Sequence, residues 1–307
     1  MQRIKADYID PPQWLDPVGV AIGNFDGIHL GHQKLLAKLF DVHRVSGTDS
    51  AVLTFSPHPK TFFGADTLPR LFTQSEQESL LADRGVDLIV EQNFDLGFSK
   101  LSPSEFIKYL ISIFPKIKSI VVGENFRFAS GRLGSVEDLE KLFSSVGVEV
   151  FSMPLTILAG SAVSSTRIRE LLVDGDVMET SKLLGFNYFY SGKVVRGDQR
   201  GRTIGFPTAN LEIHDKVLVK QGVYQSTTKY LGVDYPSITN VGVRPTFKSS
   251  SPVPVVETHL LDQDLDMYDN FIKVELIKAI REERKFSGIE SLREQIMKDI
   301  ELVKKMA

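Results

Sequence analysis

The chain has 307 residues, 42% of them hydrophobic and 24% charged, with 36 Lys and Arg against 39 Asp and Glu and no cysteine. At roughly 150 residues per domain this length predicts about two domains, and the composition excludes a disordered, collagen-like or coiled-coil protein. A net charge of −3 leaves no global basic field for nucleic acid or an anionic membrane, so any anionic ligand must be gripped by particular loops.

The absence of cysteine excludes disulfides, thiolate metal sites and cysteine nucleophiles, and fits a reducing compartment. Acids and prolines stand near the N-terminus, up to Pro11 and Pro12, where a signal peptide needs an apolar core. No apolar run approaches the ~18 residues of a membrane helix. The chain therefore reads as soluble and cytoplasmic.

Up to residue 184, short apolar runs at Val18–Gly23, Ala51–Phe55, Leu88–Val90, Ile120–Gly123 and Val148–Phe151 predict strands buried on both faces of a parallel sheet. Between them, Leu35, Leu36 and Leu39, and then Phe106, Leu110 and Ile113, recur at helical spacing. Ser102-Pro103-Ser104-Glu105 supplies an N-cap, a proline at the first helical position and an early acid. Ser135 with Glu137 and Asp138 starts another helix in the same way. Strands alternating with helices predict an open, doubly wound α/β domain over residues 1–184.

Near Gly185 the pattern changes. Ile272, Val274 and Leu276 alternate with Lys273 and Glu275, a period of two that marks a half-buried strand. Val223–Lys229 and Val255–Leu261 read similarly, and strands without intervening helices predict a small antiparallel barrel or sandwich over residues 185–307. Leu292, Ile296, Ile300 and Val303 then form a helical apolar stripe, which predicts a closing C-terminal helix packed on the barrel.

The loop after the first apolar run reads Gly23-Asn24-Phe25-Asp26-Gly27-Ile28-His29-Leu30-Gly31-His32. Its glycines allow close approach of a ligand and a sharp turn into a helix, whose N-terminus favours phosphate. Two imidazoles three residues apart share a helical face and can both donate to one anion. No nearby carboxylate or third histidine completes a zinc set, and the pattern differs from a Walker loop or a dinucleotide fingerprint. It resembles the histidine signature of nucleotidyltransferases, which bind ATP and transfer its adenylyl group. Ser164-Ser165-Thr166-Arg167, hydroxyls capping a helix with an early arginine, resembles that superfamily's second phosphate-binding motif.

Two segments lie between: Thr54-Phe55-Ser56-Pro57-His58-Pro59, and Asn125-Phe126-Arg127-Phe128 leading to Ala129-Ser130-Gly131-Arg132. Each is either a turn whose aromatics finish the core or a cover for a flat, charged ligand. In the second half, residues 192–211 hold four glycines and three arginines and contain Gly201, Gly205 and Pro207-Thr208-Ala209-Asn210. Thr and Asn oxygens can hold Mg²⁺ together with nucleotide phosphates. Glu257, in an apolar strand, is either a structurally paired acid or a general base.

These motifs, in this order, resemble the bacterial bifunctional riboflavin kinase/FAD synthetase family over nearly the whole chain. The resemblance implies a Rossmann-like FMN adenylyltransferase domain (1–184) and a riboflavin kinase domain (185–307), a six-stranded barrel plus C-terminal helix. It further implies ATP as co-substrate, Mg²⁺, FMN and FAD as products, and a monomer or weak homo-oligomer without nucleic-acid or membrane partners. Gly23, Phe25, Asp26, Gly27, His29, His32, Ser164, Ser165, Thr166 and Arg167 fall on one ATP site, with His29 and His32 in the catalytic role. Gly201, Gly205, Pro207, Thr208 and Asn210 fall on the other, where Thr208 and Asn210 are the metal ligands and Glu257 the catalytic base. His58, Asn125, Phe126, Arg127 and Phe128 fall in the flavin region. The alternative is an FMN adenylyltransferase whose barrel is only a flavin-binding or interaction module. Two departures stand out: the family usually has glycine where this chain has Ala129, and glycine after the tyrosine matching Tyr268, where Asp269-Asn270 stand here.

Overall fold

The computed structural model describes residues 1–64, 69–197, 201, 204–213, 216–244 and 253–306. They form two compact units, Met1–Ser164 and Ser165–Ala307. The 184/185 boundary read from the sequence falls later, at the left-handed C-cap Gly185 of a helix.

The first unit is built on a parallel sheet of six strands: β1 (Gln2–Ala6), β2 (Val18–Ile22), β3 (Asp49–Ser56), β4 (Leu88–Asn93), β5 (Ile117–Gly123) and β6 (Glu149–Met153). Their spatial order is β1-β4-β3-β2-β5-β6. β2 is buried at every position, as its unbroken apolar run requires for a central strand covered on both faces. β6 is an edge strand with no fully buried residue, so the Val148–Phe151 run is covered less fully than its composition suggested. β1 lacks a strong apolar pattern and was not anticipated; its pairing to β4 on the far edge creates it.

Helices α1 (Leu30–Ser46), α2 (Pro59–Phe62), α3 (Gln74–Ala82), α4 (Pro103–Ile113) and α5 (Val136–Ser144) connect the strands. Ser102 and Ser135 form capping boxes with Glu105 and Asp138, satisfying donors that a helix start leaves orphaned. A short hairpin, β7 (Ile157–Leu158) and β8 (Ser161–Ala162), follows β6.

From β2 the chain winds one way through β3 and β4, then crosses to β5 and β6. That reversal makes the carboxyl ends of β2 and β5 the topological switch point, where open α/β sheets leave a crevice.

The second unit begins with α6 (Ser165–Asp174) and α7 (Val177–Leu184). Six strands follow: β9 (Phe189–Val195), β10 (Ala209–Leu211), β11 (Gly222–Tyr230), β12 (Val233–Arg244), β13 (Val253–Leu260) and β14 (Phe271–Glu282). They close into an antiparallel barrel in the order β10-β13-β12-β11-β14-β9. The buried hydroxyls of Ser226, Thr228, Ser237, Thr239 and Thr258 bond to one another at 2.7–3.1 Å, which removes the penalty of burying them.

Helix α8 (Ile289–Met306) follows the barrel. Ile300 and Val303 pack on Val223, Ile238 and Leu261, as the apolar stripe predicts. Leu292 and Ile296 do otherwise: they wall a cavity.

Candidate active sites

In the first unit the glycine loop leaves β2 at Gly23. Phe25 and Ile28, both fully buried, adopt positive φ of 49° and 45°, and Gly27 has φ 98°. This unusual backbone is held from three sides. Thr54 Oγ1 and Gln77 Nε2 donate to the Asn24 carbonyl, Gln77 also donates to that of Phe25, and the Leu71 N–H donates to Asp26 Oδ1.

The helix begins at Leu30, so His29 is its N-cap rather than a residue of its face. His29 Nδ1 accepts the backbone N–H of His32 at 3.4 Å. The two rings stack 3.8 Å apart, 14° from parallel, and Phe25 closes the other side of His32 at 5.0 Å. Burial lowers the His29 pKa to about 4. Burial, then the neighbouring His29 charge, holds that of His32 well below its usual value. Both are neutral imidazoles at pH 7. Because His29 Nδ1 accepts, its proton sits on Nε2. Among the described residues, the buried atoms His32 Nδ1, Asn24 Oδ1 and Thr156 Oγ1 have no hydrogen-bond partner. All three belong to or adjoin this turn: a Cβ on Gly31 would lie 3.9 Å from Thr156 Oγ1.

At the switch point lies a cavity of about 900 Å³. Gly23 and Asn24 from the glycine loop line it together with His58, Asn125, Phe126, Arg127 and Phe128. Phe126 and Phe128 stack at 5.8 Å, and Phe128 is part of the core while also lining this cavity. His58 caps α2 by accepting the Lys60 N–H. Sequence reasoning missed Phe63, Phe94, Phe98 and Phe106, and the cations Lys60 and Lys100, which complete the wall together with Arg132. Aromatic residues on separate loops and helices carry no local signal of a shared wall until the sheet gathers them. The Ala129 departure has a physical meaning: its φ of 65° and ψ of −177° lie in a region that glycine occupies freely and alanine does not. Asp269, the other departure, also has positive φ, 62°.

Ser164 closes the first compact unit, and Ser165, Thr166 and Arg167 open the second at the start of α6. Arg167 pairs with Glu179 of α7 at 3.6 Å.

In the barrel, Val256, Thr258 and Leu260 are buried while Glu257 and His259 alternate to the opposite face. Glu257 thus stands on the outer face, half-buried, rather than within the barrel core. Register brings Asn210 of β10 and Asn240 of β12 alongside it, one on each neighbouring strand. Glu257, Asn240, Thr208 and Gly201 line a cavity of about 420 Å³, completed by Arg281, Phe286 and helix α8. A second cavity, about 230 Å³, adjoins it through Thr208 and is lined by Pro207, Val194 and Tyr268. His259 Nδ1 lies 2.8 Å from the Pro207 carbonyl and fixes that turn. A Cβ on Gly201 would lie 2.4 Å from the Phe206 carbonyl oxygen, so the turn needs glycine there. Gly205 has φ 90°. Arg200 and Arg202 of this loop lie outside the described residues. Among the described residues no group of three His, Cys, Asp or Glu gathers to hold a metal.

Residues 12–167 match the family model described as FAD synthetase, and residues 184–307 match that described as riboflavin kinase. Bifunctional riboflavin kinase/FMN adenylyltransferases of Escherichia coli (strain K12) and Bacillus subtilis (strain 168) are each 37% identical, over 91% of this chain and 90% and 89% of theirs. A crystal structure titled as a macrolide-efflux protein from Streptococcus pneumoniae is similar with a TM-score of 0.87, 31% identity and 98% of each chain covered. Among the described residues no helix is long and apolar enough to cross a membrane. Two domain matches in this order, with relatives spanning nearly the whole chain, show that it belongs to the bifunctional riboflavin kinase/FMN adenylyltransferase family.

Proposed function

We propose that the chain makes FMN from riboflavin and ATP in residues 185–307, and FAD from FMN and a second ATP in residues 1–184. One observation carries this reading: each half has its own cavity lined by its own glycine loop, Gly23 and Asn24 in one and Gly201 and Thr208 in the other. A barrel acting only as a binding module would need no carboxylate between two asparagines in register, so we favour two active sites.

In the barrel, Glu257 takes the proton of the ribityl 5′-hydroxyl, and that oxygen attacks the γ-phosphorus in line while ADP leaves. Thr208 and Asn210 are hard oxygen donors on adjoining elements, and few protein ligands suit Mg²⁺ shared with phosphates and water. When bound there, Mg²⁺ supplies charge neutralisation on the transferring phosphate.

In the α/β unit, the FMN phosphate oxygen attacks the α-phosphorus and pyrophosphate leaves. The nucleophile is already anionic, so no general base is needed. His29 offers an Nε2–H and α1 offers its N-terminal N–H groups to the triphosphate; Gly23, Phe25, Asp26 and Gly27 shape that cradle. Ser164, Ser165, Thr166 and Arg167 are proposed as further ATP contacts, and His58, Asn125, Phe126, Arg127 and Phe128 as flavin contacts. The reading includes a cytoplasmic monomer or weak homo-oligomer without nucleic-acid or membrane partners, in keeping with the net charge of −3.

The test is to incubate the chain with riboflavin, ATP and Mg²⁺ and resolve the products by chromatography. FMN and FAD are both expected; failure to form FMN would sink the phosphorylation assignment. Glu257→Gln is expected to stop FMN formation and spare adenylylation of supplied FMN. His29→Ala with His32→Ala is expected to do the reverse.

A further inference from the structure

The cavity beside Glu257 has a far wall that the phosphate motifs do not explain. Arg281 of β14, Val223 of β11, Asn240 of β12 and Glu257 of β13 are register partners in one row across four strands. Three strand steps of ~4.8 Å separate the ends of that row by about 14 Å along the sheet. With the ribityl hydroxyl at Glu257, the same cavity gives the flat ring room toward Arg281, Phe286 and α8, which line it.

That wall is organised by one buried carboxylate. Asp299, 3% exposed, uses both oxygens: Oδ2 accepts Arg281 Nε–H at 2.9 Å, and Oδ1 accepts Gln295 Nε2–H at 2.6 Å. Gln295 in turn accepts from Arg284. The Arg281 and Arg284 guanidiniums both lie over the Phe286 ring, 5.6 and 5.1 Å from its centre. Anchoring of α8 already has an apolar basis in Ile300 and Val303. A buried ion pair is weak evidence for stability, since desolvation offsets its attraction, but it imposes a geometry.

We propose that Asp299 is a positioning residue for flavin phosphorylation: by fixing Arg281 and the Phe286 wall it sets the binding of the ring, leaving the phosphoryl step to Glu257. This rests on the assignment of the barrel cavity to the flavin substrate. Asp299 itself acts through Arg281 and Gln295 rather than on the reacting atoms.

The test is steady-state phosphorylation by the full chain, with riboflavin and ATP varied separately, for wild type and Asp299→Asn. Asparagine keeps the shape and removes the charge that orients Arg281. The KM for riboflavin is expected to rise about ten-fold while kcat and the KM for ATP stay within about three-fold. Adenylylation of supplied FMN should be unchanged, which reports a folded chain. An unchanged riboflavin KM, or a joint loss in kcat and both KM values, overturns the inference; the joint loss would mark a purely structural role. Should Asp299→Asn fail to fold, Gln295→Ala carries the same test with a rise of roughly three-fold. Wild type that forms no FMN defeats the phosphorylation reading itself, an outcome separate from an active wild type with an insensitive Asp299→Asn.

Discussion

His29 and His32 hold each other: the Nδ1 of the first accepts the backbone N–H of the second, and their rings stack at 3.8 Å. The contact makes one histidine both a helix cap and a fixed tautomer. Protonation at Nδ1 would remove the cap bond and bring positive charge to the positive end of the helix dipole.

Acid sensitivity of the first unit follows. The folded chain keeps His29 neutral down to about pH 4, whereas the unfolded chain takes up its proton near 6.5. Between those values the unfolded state binds more protons, so stability is lost as pH falls through this window, by on the order of 3 kcal/mol. His32 acts in the same direction. Trp14, the one tryptophan in the sequence, packs on the first unit's core and donates to Asp49 at 3.0 Å. Its fluorescence in urea titrations from pH 4 to 7 is the measurement. His29→Gln should flatten the dependence by about half.

Ala129→Gly should stabilise the same unit. Alanine at φ 65° and ψ −177° carries strain that glycine lacks, and the greater freedom of glycine in the unfolded chain offsets only part of that. A net gain of about 1 kcal/mol is expected. The urea midpoint read by Trp14 should rise; a fall would show that the loop accommodates alanine without strain.

Gly201→Ala should damage phosphorylation selectively. The added Cβ would lie 2.4 Å from the Phe206 carbonyl oxygen and 3.3 Å from Thr208 Oγ1. Backbone must move, and Thr208 moves with it. Product assays are expected to show roughly a ten-fold or greater loss in kcat/KM for FMN formation, with FAD formation from supplied FMN intact.

The glycine loops that line the two cavities were legible because they are local. Three glycines and two histidines between Gly23 and His32, or Thr208 and Asn210 two residues apart, announce themselves without any distant partner. So did the change of hydrophobic period near Gly185, which separates a sheet covered by helices from a barrel. The wall of the cavity beside Glu257 was not legible. Leu292 and Ile296 share a stripe with Ile300 and Val303, yet only the latter pair packs on the barrel cluster.

The sequence by itself determined the order of an α/β half and a barrel half, most of their strand and helix types and their glycine loops, since these depend on spacing along a few residues. Only the tertiary structure decided which remote residues share a row with Glu257. It also decided that Asp299 faces Arg281, and that Ala129 must take a glycine backbone. Strand register, helix rotation and loop strain are set by closure of a barrel or sheet over long separations, and no local pattern encodes them.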